Sequence, residues 1–293
     1  MDRTRSAALA RARTHVVELP DGCATRVWDV PGPSGAPVLV LLHGVTLTAR
    51  LNWGGVVDQL SQHYRLLLLD QRGHGAGGRA QPFRLEDCAD DVAAVARQLG
   101  VPKLIAVGYS MGGLVAQLLW RRHRSLVAGL VLCSTTRNTS GAPWEQSAAL
   151  AMPGLLTAAA WLPPMYALGA DVVGSALLDH DTDPFDRRWA LSEMRRTSLV
   201  DALSAIRAVC EFSSHSWIGS VDVPTAVLVT RHDRVVAPRR QLKLARAVPG
   251  STVIELDGGH DVFLTSPGRF GAAVLAAGSA VFPRCDATAA VGA

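Results

Sequence analysis

Five continuous apolar runs constrain this chain more than any other feature. They are Val38-Leu-Val-Leu-Leu42, Leu66-Leu-Leu-Leu-Asp70, Leu104-Ile-Ala-Val107, Leu126 to Leu132 and Ala226-Val-Leu-Val-Thr230. A strand covered on one face alternates apolar and polar residues, whereas a strand covered on both reads as an unbroken apolar run. Thr252-Val-Ile-Glu-Leu256 is a weaker instance. Between the runs lie helical patterns. Residues 83–100 carry Leu85, Cys88, Val92, Val95 and Leu99 at three- and four-residue spacing and stop at Gly100; residues 114–123, 241–248 and 267–281 supply further helices. Strands alternating with helices imply parallel crossovers. The predicted fold is therefore α/β, a doubly wound and mostly parallel sheet. Ahead of it, residues 14–19 and 24–30, joined by Pro20-Asp-Gly22, predict an antiparallel hairpin at a sheet edge. Residues 136–220 break the alternation, first rich in Pro, Trp, Met and Ala, then helical with mixed charge. They are expected to form a helical cap inserted into a core made of residues 1–135 and 221–293.

Ligand sites in such sheets lie at the carboxyl ends of the strands, and there the chain places residues with chemistry. Gly108-Tyr-Ser110-Met-Gly112 follows an apolar run and opens a helix. That is the setting of a nucleophile elbow, a turn so tight that its flanking positions must lack bulk. Taken alone the pattern could be an ordinary turn, since 27 of the 293 residues are glycine; its context decides. A serine hydroxyl needs a base to take its proton, and histidine titrates near working pH. Of nine histidines, His260 in Gly258-Gly-His-Asp261 directly follows the last expected strand. His74 is read as organising its own loop, and His43 has no partner at metal-ligand spacing. A carboxylate must orient the base. Asp233 lies just past a buried run, while residues 133–141, after the preceding strand, contain no carboxylate. The order Ser110, Asp233, His260 is that of α/β-hydrolase triads. Two backbone N–H groups must receive the oxyanion, and Met111 and Val45 are the expected donors.

Leu41-Leu-His-Gly44, Asp70-Gln-Arg-Gly-His-Gly75, Gly108-Tyr-Ser-Met-Gly-Gly113, Asp233 and Gly258-Gly-His260 together resemble the α/β-hydrolase fold superfamily over residues 14–283. The branch that looks most similar holds serine esterases, cofactor-free haloperoxidases, enol-lactonases and carbon–carbon bond hydrolases. The resemblance implies Ser110 as nucleophile, His260 as base, Asp233 as acid, and Val45 and Met111 as oxyanion donors; no cofactor is expected, and no metal-ligand cluster stands in the sequence. Relatives that open epoxides or carbon–halogen bonds carry aspartate at the elbow, which Ser110 argues against.

The expected activity is hydrolysis of a carboxylic ester, thioester or lactone of a small apolar substrate through an acyl-enzyme. Carbon–carbon bond hydrolysis or perhydrolysis would use the same triad, and a ligand-binding protein on a hydrolase scaffold is the non-enzymatic alternative. Tyr109, beside the nucleophile, and Trp144, Trp161 and Met165 in the cap are the candidate substrate contacts. A formal charge of +4, with no basic stripe interleaved with aromatics, points away from nucleic acid. Five scattered cysteines suggest reduced, packed thiols. The N-terminus lacks the apolar core of a signal peptide and no segment reaches membrane-spanning length, so a cytoplasmic protein is expected. Homo-oligomerisation is left open.

Overall fold

The computed structural model describes residues 6–78, 82–139, 178 and 183–282. Eight strands form one sheet: β1 (Arg13–Glu18), β2 (Ala24–Val30), β3 (Val38–Leu42), β4 (Arg65–Leu69), β5 (Leu104–Tyr109), β6 (Val127–Cys133), β7 (Thr225–Thr230) and β8 (Thr252–Leu256). Their spatial order is β1-β2-β4-β3-β5-β6-β7-β8. The hairpin β1–β2 and the β2–β4 pair are antiparallel, and every other pair is parallel.

The unbroken apolar runs have a direct cause. Along β3, Val40 and Leu42 enter one core cluster while Leu39 and Leu41 enter the other; β4 divides Leu67 and Leu69 from Leu66 and Leu68 in the same way. Side chains alternate across the sheet, and both faces are roofed. Helices α1 (Leu85–Gln98) and α2 (Met111–Arg122) cover the first face. The C-terminal helix and two short helices, Ala49–Trp53 and Val57–Leu60, cover the second. Each fully buried leucine contributes about 1.5–3 kcal/mol, so these runs are the largest favourable term in the sheet. The edge strand β8 exposes most of its residues, which is why its sequence signal is weak.

Between β6 and β7 the described chain carries α3 (Pro184–Met194) and α4 (Leu199–Glu211). The insertion leaves and returns at one point. Asn138 pairs with Ser213, and Ser214 N–H donates to the Arg137 carbonyl at 2.7 Å. From α3, Ala190 and Met194 pack into the second core cluster, and Glu193 accepts a hydrogen bond from the Thr48 hydroxyl at 2.8 Å. Trp144, Trp161 and Met165 lie outside the described residues. After β7, α5 (Pro238–Ala247) leads to β8, and α6 (Pro267–Val281) closes the fold. Among the described residues, no helix is long and apolar enough to cross a membrane.

This order sets the site. β4 lies to one side of β3, and the chain then crosses over β3 to place β5 on its other side. The carboxyl ends of β3 and β5 therefore flank the switch point where a crevice opens.

Candidate active site

Ser110 sits at that crevice, between β5 and α2, with φ +52° and ψ −116°. L-residues rarely adopt such a backbone, which costs roughly 1–3 kcal/mol and persists only where the surroundings enforce it. Here three glycines make enforcement possible. A Cβ on Gly108 would lie 2.2 Å from the Gly112 carbonyl oxygen, one on Gly112 would lie 2.1 Å from that of Leu42, and one on Gly113 would meet Thr135 at 2.5 Å. The Gly-x-Ser-x-Gly-Gly pattern is thus a packing requirement of strand, turn and helix meeting at one point. The Thr135 hydroxyl donates to the Ser110 carbonyl at 2.8 Å and holds the turn from β6. The other non-glycine residues with positive φ, Thr46 and Ser134, follow β3 and β6, the strands on either side of β5. Backbone strain among the described residues is therefore concentrated at this end of the sheet.

His260 reaches the serine from the loop after β8. Its Nε2 lies 3.1 Å from Ser110 Oγ, and its Nδ1 lies 2.8 Å from Asp233 Oδ2. A carboxylate only accepts, so Nδ1 carries the proton and Nε2 is left as the acceptor for the serine hydroxyl. The Asp233 side chain is fully buried but well supplied with donors. Its Oδ1 accepts from the Val235 and Val236 N–H groups at 2.9 and 2.8 Å, and Oδ2 from the Thr230 hydroxyl and the Gln241 amide at 2.8 and 3.2 Å. These bonds compensate the desolvated carboxylate and fix which oxygen faces the imidazole.

Met111 opens α2, where the first N–H groups of a helix have no carbonyl behind them to receive them. Val45 lies on the loop leaving β3. The His43 ring turns its peptide: Nδ1 donates to the Gly44 carbonyl at 2.8 Å, and in a trans peptide the following N–H points the opposite way. Nε2 of the same ring accepts from the Gln71 N–H at 2.9 Å, and the Gly44 N–H is held by Asn52 at 3.0 Å. A Cβ on Gly44 would come within 3.4 Å of Ser110 Cβ, so this loop lies against Ser110.

One expectation changes with the structure. Tyr109, expected against substrate, is 0% exposed; its hydroxyl donates to the His260 carbonyl at 2.6 Å. The signal for this was available, because Ile105, Val107 and Tyr109 alternate onto one face of β5 and all enter the second core cluster. His43 is a structural tie between two loops, a role that motif spacing does not disclose.

Burial pushes His43 down to about 4, and burial together with the neighbouring His43 pushes His74 down to about 4. The ring centroids are 5.2 Å apart. Unfolded imidazoles bind protons near pH 6.5, whereas these bind only near 4, so stability falls as pH drops through that window. Urea unfolding should show a stability loss of up to about 3 kcal/mol per ring between about pH 7 and pH 4. Equal midpoints at the two ends would show that the pair is not buried neutral.

The alpha/beta hydrolase fold model matches residues 37–267 of this chain. A pimeloyl-[acyl-carrier protein] methyl ester esterase of Neisseria meningitidis is 29% identical over 245 residues, covering 82% of this chain and 93% of the relative. A protein named as a carbamate hydrolase in Agrobacterium fabrum is 26% identical over 246 residues, 82% of this chain and 92% of the other. Among solved structures, the enol-lactonase of Burkholderia xenovorans LB400 superposes with a TM-score of 0.78 at 24% identity, over 89% of this chain and 98% of the other. The chain belongs to the alpha/beta hydrolase fold family.

Proposed function

We propose that the protein is a serine hydrolase that cleaves a carboxylic ester, thioester or lactone through an acyl-enzyme. The observation that carries this reading is the continuous hydrogen-bond chain from Asp233 through His260 to Ser110, at 2.8 and 3.1 Å. Ser110 Oγ attacks the acyl carbon while its proton passes to His260 Nε2. The oxyanion is received by the Val45 and Met111 N–H groups, each such donor being worth roughly 3–4 kcal/mol of barrier. The imidazolium then protonates the departing oxygen or sulfur, and the acyl group stays on Ser110. Water, deprotonated by the same His260, attacks next and releases the acid. Asp233 holds the imidazole in the tautomer that both halves require.

The relatives support an acyl electrophile. A methyl ester, a carbamate and an enol lactone, the groups in their names, each join a carbonyl carbon to a leaving heteroatom. Within residues 136–220, the described helices α3 and α4 act as a cap over this end of the sheet, a reading supported by the bond from Glu193 on α3 to Thr48 beside the β3 loop. The partner is a small-molecule substrate.

A turnover screen tests the reading. Acyl esters from acetyl to dodecanoyl, matching thioesters, lactones and carbamates would be assayed with Ser110→Ala as the blank. Turnover of at least one class well above the blank is expected; wild-type rates equal to the blank across every class would overturn it.

A further inference from the structure

One buried polar group beside the catalytic machinery has been given no part in it so far. Tyr109 is covalently joined to Ser110, and its hydroxyl is hydrogen-bonded to the backbone of His260, 151 positions further along the chain. The ring is held edge-on by Phe263, Phe270 and Trp53, at 5.4, 5.5 and 6.3 Å between centroids. The imidazole of His260 lies beside it at 5.4 Å. Rigid aromatic packing thus aims the hydroxyl, and a buried hydrogen bond has no water to compete with it.

The base needs such an anchor. His260 follows two glycines, Gly258 and Gly259, and glycine leaves a backbone many conformations to lose. The Asp233 bond fixes the far end of the imidazole, but the Cα of His260 must be fixed as well if Nε2 is to stay 3.1 Å from Ser110 Oγ. We propose that the Tyr109 hydroxyl is a positioning group. It ties the backbone of the base to the residue beside the nucleophile and so sets the distance across which the proton moves. Burial holds the Tyr109 hydroxyl well above its ordinary titration range, so it remains a donor wherever esterases are assayed. Misplacing a reacting atom by an ångström can cost about 10²-fold in rate; removing one restraint of several is expected to cost less.

The inference rests on the serine-hydrolase reading, and Tyr109→Phe tests it by deleting a single oxygen. The expected result is kcat lowered about tenfold with KM within about twofold, because the group touches the base and not the substrate. Phosphonylation of Ser110 by a fluorophosphonate should slow by a similar factor. In proton NMR, the downfield resonance of the His260 Nδ1 proton should broaden as the ring loosens. An unchanged kcat in the folded variant would reduce the bond to packing, and a raised KM with unchanged kcat would restore the substrate-contact role; either overturns the proposal. Phe263→Leu, which removes one of the rings that hold Tyr109 edge-on, gives a second route if Tyr109→Phe does not fold. A fall in kcat of about threefold is expected there, and full activity would count against the proposal. Wild-type turnover in Ser110→Ala would sink the hydrolase reading itself, whereas a dead Ser110→Ala beside a fully active Tyr109→Phe would sink only the positioning role.

Discussion

Ser110→Ala is expected to lower kcat/KM for acyl ester hydrolysis by roughly 10⁵–10⁶-fold, leaving only what the backbone donors and substrate binding still supply. The magnitude follows from the loss of covalent catalysis. With no hydroxyl 3.1 Å from His260 Nε2, the remaining nucleophile is a water molecule that nothing in the elbow positions. The fold should be indifferent to the change. The turn at φ +52° is imposed by Gly108, Gly112 and Gly113 together with the Thr135 bond to the Ser110 carbonyl, and alanine meets the same backbone strain as serine. Steady-state kinetics with thermal unfolding on the same preparation check both halves. A variant that keeps even one hundredth of the wild-type rate would be incompatible with Ser110 as the attacking group.

Asp233→Asn is expected to cost about 10⁴-fold in kcat at neutral pH, through the tautomer rather than through the loss of a shape. The hydrogen bonds around Asp233 make this outcome specific. Oδ1 accepts two backbone N–H groups, from Val235 and Val236, so an asparagine carbonyl must stay on that side. The amide nitrogen is then forced into the position of Oδ2, facing His260 Nδ1, Thr230 and Gln241. There it can only donate to the imidazole. Nδ1 becomes the acceptor, Nε2 carries the proton, and the ring presents an N–H to Ser110 in place of a lone pair. The base is disarmed without moving. Measured kcat within tenfold of wild type would show that Asp233 does not set the tautomer.

Much of this architecture was legible because its causes are local. The apolar runs of β3 to β7 announce strands roofed on both sides, and the Pro20-Asp-Gly22 turn announces the hairpin, whose ends pair as Glu18 with Ala24. The two short helices after β3 were not foreseen, since four or five residues are too few to display a helical period. At the site, Ser110, Asp233 and His260 could be picked out because each follows a strand in a fixed chain order. Their supports could not. Thr135, Thr230 and Gln241 are common residue types whose roles arise only when β5, β6, β7 and α5 are brought side by side. Tyr109 was misread for a related reason: its place next to the nucleophile suggested exposure, while the alternation along β5 turned its ring into the core.

The most direct measurement is peptide mapping by mass spectrometry after brief treatment of the native protein with a fluorophosphonate. One adduct is expected, on the peptide bearing Ser110, absent from Ser110→Ala and strongly slowed in His260→Ala. An adduct on a different residue, or wild-type protein that hydrolyses esters yet stays unlabelled, would contradict Ser110 as the nucleophile.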